Sequence, residues 1–246
     1  MSHFILIHGA AHGGWVWHKV QKVLEEKGHT VVAPDLPGHS ATDNVPVKEV
    51  TLERYVSAVV DLVNRSDQKV ILAGHSMGGI VVSLAAEWVR EKIQQLFFVA
   101  ALVPRPGDTI TGLLNRDKKS RLKECFTVNK DEMHAVLVPD TIDEIVYNGC
   151  EYEDIMFAKK HLVPQPIALM TQVIDMDWEY FKKVWKTAIV CTKDRALHQD
   201  LQEIMYIRAG CGLDYLPSGH MPLFSHAEEI GSMFEMWIEV KMARRE

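Results

Sequence analysis

The pentapeptide at residues 74–78, Gly-His-Ser-Met-Gly, places one serine between two glycines in the pattern Gly-x-Ser-x-Gly. It follows a short apolar run at residues 70–73 and precedes a helix-like run from Ile80 to Arg90. A serine at the tip of a strand-to-helix turn lies in strained backbone, so the residues two positions away must be small. The turn also directs the positive end of the helix at the serine. We therefore interpret Ser76 as a nucleophile rather than as part of an ordinary tight turn.

A serine hydroxyl becomes a good nucleophile only when a base accepts its proton and an acid orients that base. Proteins with this serine turn carry the two partners in the chain order Ser…Asp…His, on loops after later strands. His220 follows the last predicted strand and is the predicted base. Asp194, directly after the fifth strand, is the predicted acid, and Asp108, after the fourth strand, is the alternative. Asp35 ends a strand ahead of the serine and is expected to shape a turn.

Acyl transfer also requires hydrogen-bond donors at the point where the carbonyl oxygen of the substrate becomes an alkoxide. The N–H of Met77, directly after the serine, is the first predicted donor. The second should come from the loop after the first strand, where Gly9 and Ala10 allow the backbone to approach the serine. We favour Ala10, so the predicted oxyanion hole consists of Ala10 and Met77.

His8 and His12 lie four positions apart, a spacing that could suggest two ligands of one metal ion. They belong to a glycine-rich loop, however, and no third ligand is evident near them. We therefore expect no metal at this loop. Serine acyl transfer needs no cofactor, and none is predicted.

The composition is that of an ordinary soluble globular protein. The chain has 246 residues, of which 47% are hydrophobic and 24% are charged, and its formal net charge is −6. The negative charge argues against nucleic acid or an anionic membrane as the main partner. No apolar run reaches the roughly 18 residues of a membrane span. The predicted partner is a small-molecule ester, while a homodimer is neither indicated nor excluded.

The four cysteines lie far apart, without the spacing of a paired framework. They are Cys125, Cys150, Cys191 and Cys211. This arrangement favours reduced thiols. The first residues enter a strand at once, with no basic flank or cleavage site, so we expect no secretion signal. Together these observations predict a cytoplasmic protein.

Strands and helices alternate through most of the chain, which predicts a mainly parallel sheet with helices on both faces. Six strands are predicted, near residues 3–8, 30–33, 70–73, 96–103, 187–191 and 213–216. The alternation breaks between residues 108 and 186, where only helical fragments are evident. Because long structureless loops are uncommon in compact domains, we expect an inserted helical cap at 108–186. The core would then consist of residues 1–107 and 187–246.

The large apolar side chains of the predicted cap are expected to form its own core. They are Phe126, Met133, Phe157, Met170, Met176, Trp178 and Phe181. Some of them should also line an apolar pocket for the acyl or alcohol part of a substrate. The sequence does not distinguish the two groups.

Four motifs together resemble the plant methylesterase and hydroxynitrile lyase group of α/β-hydrolases. They are residues 8–15 (His-Gly-Ala-Ala-His-Gly-Gly-Trp), 74–79 (Gly-His-Ser-Met-Gly-Gly), 191–194 (Cys-Thr-Lys-Asp) and 219–221 (Gly-His-Met). The resemblance covers nearly all of the core in order and is weak through the cap. It implies the α/β-hydrolase fold, with Ser76, Asp194 and His220 at the positions of the family's triad. It also implies that Ala10 and Met77 take the positions of its oxyanion donors.

Two positions separate the esterases of this group from its lyases. The lyases carry a threonine directly after the first-strand histidine, which binds the cyanohydrin hydroxyl. They also carry a lysine directly after the catalytic histidine, and its charge stabilises the departing cyanide. Here these positions hold Gly9 and Met221. Without the cation nothing stabilises the leaving anion, so the resemblance implies an esterase.

One segment departs from the plant pattern. Residues 33–40, Ala-Pro-Asp-Leu-Pro-Gly-His-Ser, resemble general bacterial hydrolases instead. This departure argues against a plant-hormone ester as the substrate.

The predicted function is the hydrolysis of small carboxylic esters, methyl or aryl esters among them, through an acyl-enzyme on Ser76. His220 would act first as general base and then as general acid, so activity should fall below roughly pH 6–7 as the imidazole protonates. Two alternatives stay open, a hydroxynitrile lyase and a ligand-binding receptor that retains a hydrolase pocket. Epoxide hydrolase and haloalkane dehalogenase chemistry is not expected, because those enzymes use an aspartate where Ser76 stands.

Overall fold

The computed structural model describes residues 1–40 and 45–244. Within them the strands are β1 (His3–Ile7), β2 (Thr30–Val32), β3 (Val70–His75), β4 (Ile93–Val99), β5 (Phe126–Asn129), β6 (His134–Leu137), β7 (Gln165–Pro166), β8 (Lys186–Cys191) and β9 (Gly212–Leu216). The main sheet has six strands in the order β2-β1-β3-β4-β8-β9, and every neighbouring pair is parallel. The predicted six-stranded parallel sheet is therefore confirmed.

Helices follow most strands of this sheet. The α-helices of the described residues are α1 (His18–Glu26), α2 (Leu52–Asn64), α3 (Gly78–Trp88), α4 (Ile110–Arg116), α5 (Pro139–Ile145), α6 (Tyr152–His161), α7 (Trp178–Lys183), α8 (Gln199–Ala209), α9 (Pro222–Ser225) and α10 (Ala227–Ala243). None of these helices is long and apolar enough to cross a membrane.

Alternation along β1 shows how the sheet divides the core. Ile5 and Ile7 belong to an apolar cluster with side chains of α2, α3 and α8, whereas Phe4 and Leu6 belong to a second cluster with α1 and α10. All four side chains are buried. Since consecutive side chains of a strand point to opposite faces, a continuously apolar strand fits a sheet that is covered on both faces.

The cap segment, residues 108–186, lies between β4 and β8 in the chain and contains α4 to α7. It also contains a small antiparallel sheet in the order β5-β6-β7. The expectation of helical fragments alone was therefore incomplete. These strands are only two to four residues long, and most of β5 is exposed. β5 and β7 lack the continuous apolar run by which a buried strand is recognised, and the apolar run within β6 is only three residues long.

Candidate active site

The turn between β3 and α3 holds Ser76 in a left-handed backbone conformation, with a φ of +51°. β3 ends one residue before the serine and α3 begins two residues after it, as the sequence pattern predicts. A Cβ atom on Gly74 would lie 2.7 Å from the backbone of Gly78, and one on Gly78 would lie 2.5 Å from the carbonyl oxygen of Ile7. Both positions require glycine, because strand and helix pass too close for a side chain.

Three side chains that are distant in sequence converge beside this turn. His220 Nε2 lies 3.0 Å from Ser76 Oγ, and His220 Nδ1 lies 2.7 Å from Asp194 Oδ2. Since a carboxylate only accepts, Nδ1 donates to it, which leaves Nε2 free to accept the serine proton. Asp194 follows β8 and His220 follows β9, so both reach the serine from the carboxyl edge of the sheet.

Asp194 is held in place by groups of the core. Its Oδ1 accepts from the N–H groups of Ala196 and Leu197, each at 2.8 Å. Its Oδ2 accepts from Gln202 Nε2 at 3.1 Å as well as from His220. The buried carboxylate thus has four donors and no unpaired oxygen. Sequence reasoning missed Gln202, whose only signal is a polar residue on the buried face of α8.

His75 is a second residue that sequence reasoning missed. Its Nε2 donates to the backbone carbonyl oxygen of His220 at 2.8 Å, so it ties the serine turn to the loop of the base. Burial lowers the pKa of His75 well below the usual histidine value, and the neighbouring His220 lowers it further. The ring is therefore neutral at physiological pH. It occupies a variable position of Gly-x-Ser-x-Gly, which is why the pattern gave no signal.

The alternative acid, Asp108, lies in a cluster of arginines instead. Its Oδ1 is 2.8 Å from Arg116 Nη2, and its Oδ2 is 3.4 Å from Arg208 Nη2. The position that the alternative required, hydrogen bonded to the ring of His220, is occupied by Asp194. The structure therefore places Asp108 outside the triad.

The loops after β1 and β2 are joined by His8 and Asp35. His8 Nδ1 donates to the carbonyl oxygen of Gly9 at 2.8 Å, and its Nε2 accepts from the N–H of Leu36 at 3.0 Å. Asp35 accepts from the N–H of Gly14 at 2.8 Å, in the turn-shaping position expected of it. Both nitrogens of His8 are thus used within the protein. Across residues 1–40 and 45–244 no group of three His, Cys, Asp or Glu side chains could hold a metal ion.

The predicted oxyanion donors lie on the two loops nearest the serine. Ala10 lines the same small cavity as Ser76 and His220, and Met77 directly precedes α3. Neither N–H has a backbone acceptor among the described residues. A Cβ atom on Gly9 would lie 2.8 Å from Ser76 Cβ. Glycine at this position therefore keeps the space beside the serine open.

The cavity in front of Ser76 has a volume of about 30 Å³, room for about two water molecules. The core supplies its polar wall, and the cap segment supplies an apolar wall that consists of Leu122, Phe126, Leu137 and Val146. Of the large apolar cap residues singled out in the sequence, Phe126 is the one found in this lining. The cap segment therefore forms one wall of the space in which a substrate would meet Ser76.

Comparison with known proteins assigns the family. The sequence pattern of the alpha/beta hydrolase family matches residues 4–231 of this chain. The chain belongs to this family. Methylesterase 7 of Arabidopsis thaliana is 30% identical to this alpha/beta hydrolase over 241 residues, which cover 92% of each chain. Norfluorocurarine synthase 2 of a Strychnos species is 29% identical over 246 residues, covering 93% of this chain and 92% of the relative.

Solved structures agree with the fold. A pyrethroid hydrolase from Sphingobium faniae JZ-2 superposes on this alpha/beta hydrolase with a TM-score of 0.87 at 24% identity, and 97% of each chain is covered. The predicted α/β-hydrolase fold and the resemblance to plant methylesterases are thus confirmed. The two relatives are named for different reactions, a synthase and a methylesterase.

Proposed function

We propose that this alpha/beta hydrolase is a serine carboxylesterase that hydrolyses small carboxylic esters through an acyl-enzyme. The observation that carries the proposal is the 3.0 Å contact between His220 Nε2 and Ser76 Oγ, with Asp194 behind the ring. The methylesterase relative supports the same reaction class.

In the acylation step, Ser76 Oγ attacks the carbonyl carbon of the ester while its proton passes to His220 Nε2. The negative charge that develops on the carbonyl oxygen is stabilised by the N–H groups of Ala10 and Met77. His220 then gives the proton to the alcohol oxygen, the bond between that oxygen and the carbonyl carbon breaks, and the acyl group stays on Ser76. Asp194 keeps its charge throughout and stabilises the imidazolium.

Deacylation repeats these steps with water as the nucleophile. His220 Nε2 accepts a proton from the water as its oxygen attacks the acyl carbon, and the same donors stabilise the oxyanion. The proton then returns to Ser76 Oγ as the carboxylic acid leaves. No cofactor enters either step.

The surroundings of His220 favour ester hydrolysis over cyanohydrin cleavage. Met221, at the position of the lyase lysine, is fully buried in an apolar cluster. No Lys or Arg is found among the described residues that line the cavity. A departing cyanide would therefore meet no cation. The apolar cap side chains instead suit an apolar acyl or alcohol group.

We also propose a division of the chain into a core and a cap, and a cytoplasmic location. Residues 108–186 would act as one cap over a core of residues 1–107 and 187–246, with its apolar wall facing the serine. The four cysteines are free thiols, which supports a cytoplasmic location. Fractionation of the source cells would test the location.

The test is an ester panel in which the acyl and alcohol lengths of p-nitrophenyl and alkyl esters vary separately. We expect turnover of short apolar esters, and loss of kcat by roughly four to six orders of magnitude in Ser76→Ala. Turnover that is unchanged in Ser76→Ala would refute the mechanism. Release of cyanide from mandelonitrile above background, without ester turnover, would favour the lyase. Tight ligand binding with no product would favour the receptor.

A further inference from the structure

The loop that carries the proposed donor Ala10 contains a strained residue. We call residues 9–12 the oxyanion loop. Within it Ala11 has a φ of +61°, in the left-handed region that a Cβ atom disfavours. Such a conformation persists only when surrounding contacts hold it.

The contacts that hold Ala11 come from the cap segment. Its N–H donates to Gln165 Oε1 at 2.9 Å, and its carbonyl oxygen accepts from the N–H of Val163 at 3.1 Å. Both polar groups of the strained residue are thus satisfied by a stretch of chain that lies more than 150 positions away. The core itself supplies neither partner.

Gln165 is built into this position. It is 1% exposed, and its Nε2 donates to the carbonyl oxygen of Pro166 at 2.9 Å. Because the N–H of Ala11 only donates, the amide atom that faces it is the oxygen, which fixes the orientation of the glutamine.

A second contact from the cap segment reaches the same peptide group through His12. His12 Nδ1 donates to the carbonyl oxygen of Ala10 at 2.6 Å, and its Nε2 lies 2.7 Å from the hydroxyl of Tyr147. Burial lowers the pKa of His12 to about 4, so the ring is neutral and carries one N–H. That N–H goes to the carbonyl, which leaves Nε2 to accept from Tyr147. The cap segment therefore anchors the loop on both sides of the Ala10–Ala11 peptide.

We propose that Gln165 is a positioning residue that sets the oxyanion hole from the cap segment. By holding Ala11 in its left-handed conformation, it aims the N–H of Ala10 at the substrate oxyanion. This inference rests on the proposed esterase function and adds a residue to it.

The test replaces Gln165 with methionine, which keeps the buried volume and the strand backbone but removes the acceptor. We expect kcat/KM for p-nitrophenyl butyrate to fall by about 10- to 100-fold, because small misplacements of an oxyanion donor cost rates of this size. The inhibition constant of propylboronic acid, whose serine adduct places an oxygen in the oxyanion hole, should rise by the same factor. The inhibition constant of butyramide, which forms no adduct, should not change.

The matched control is Gln172→Met. Gln172 also belongs to the cap segment and also accepts from a core N–H, that of Leu52 at 2.9 Å, but it does not touch the oxyanion loop. We expect this variant to keep the activity and the boronic acid affinity of the wild type. Equal effects of the two substitutions, or a loss of activity in Gln165→Met with unchanged boronic acid affinity, would overturn the proposal.

A second variant separates positioning from general loss of stability. In Ala11→Gly the left-handed conformation carries no steric cost. Adding Gln165→Met to this background should therefore cost less activity than it costs in the wild type. An equal or larger cost would contradict the role of Ala11 strain. If the wild type hydrolyses no ester, or Ser76→Ala stays active, the esterase proposal fails instead, so the two failures are distinguishable.

Discussion

The two working parts of the proposed active site are held by different regions of the molecule. The carboxylate of Asp194 is fixed by donors from the core, among them Gln202 of α8, and His220 is tied to the serine turn by His75. The oxyanion loop is held from two directions, by His8 of the core at Gly9 and by Gln165 and Tyr147 of the cap segment. The difference teaches that side chains of the core position the base and its carboxylate, whereas the loop of Ala10 depends on side chains of the cap segment as well.

The largest effect is expected on the core side, in Asp194→Asn. The N–H groups of Ala196 and Leu197 would hold the amide oxygen at the position of Oδ1, which turns the NH₂ group toward His220 Nδ1. That ring nitrogen must then be unprotonated, so Nε2 carries the proton and cannot accept from Ser76. We expect kcat for p-nitrophenyl esters to fall by about 10⁴-fold.

Asp108→Asn is the control for this substitution, since Asp108 is a buried aspartate of the same edge of the sheet. It should lower the denaturation midpoint, because it removes charge from the arginine cluster, while kcat stays near that of the wild type. A loss of kcat in Asp108→Asn as large as that in Asp194→Asn would show that the acid has been misassigned.

The next largest effect is expected at Gly9, where the oxyanion loop passes close to Ser76. In Gly9→Ala the new methyl group would lie 2.8 Å from Ser76 Cβ and 3.3 Å from its Oγ. Either the serine or the oxyanion loop must shift, and we expect kcat/KM to fall by about 10²-fold. Circular dichroism should show an unchanged fold. Full activity in Gly9→Ala would mean that serine and loop are less closely matched than their geometry indicates.

A smaller effect is expected at Gln202, the buried glutamine of the core, and it can be compared with the effect at Gln165. Gln202 accepts from the N–H of Cys191 and donates to the carbonyl oxygen of Leu197 as well as to Asp194. Gln202→Met would leave these buried core groups unpaired, so we expect the free energy of unfolding to drop by about 1–3 kcal/mol. Urea titration would measure the drop. The distinction between core and cap would fail on a combination of two results. Gln165→Met would have to lower the free energy of unfolding as much as Gln202→Met does, and it would have to reduce the activity no more than Gln202→Met does.

The last effect is the pH dependence of stability, which does not involve the chemical step. Burial lowers the pKa of His12 to about 4 and the pKa values of His8 and His75 well below normal. Each folded pKa lies below the unfolded one, so the unfolded chain binds more protons in acid. The stabilising contribution is complete above about pH 6.5 and is lost as the pH falls, at up to about 1.4 kcal/mol per pH unit for each histidine.

The variant His12→Gln isolates one part of this slope. Urea titrations of the wild type and the variant between about pH 6.5 and pH 4 should show a shallower dependence in the variant, by up to about 1.4 kcal/mol per pH unit. Parallel curves would mean that His12 takes up its proton in the folded state.

The core side of the site could be predicted from the sequence, and the cap side could not. Ser76 is recognisable because its glycines, apolar strand and helix are adjacent in the chain, and His220 and Asp194 because they follow later strands. Gln165 has no local pattern, since its role comes from a contact with Ala11 across the whole core. The small sheet of the cap segment was missed for a related reason, because its strands are only two to four residues long and most of β5 is exposed.

The central claim is that Ser76 carries the acyl group. The most direct measurement is mass spectrometry of the protein after rapid acid quenching of its reaction with p-nitrophenyl acetate, followed by peptide mapping. The account predicts the mass of one acetyl group on the peptide that contains Ser76, and no such adduct in Ser76→Ala. Steady turnover with no adduct on Ser76, or with the acetyl group on another residue that is required for activity, would contradict it.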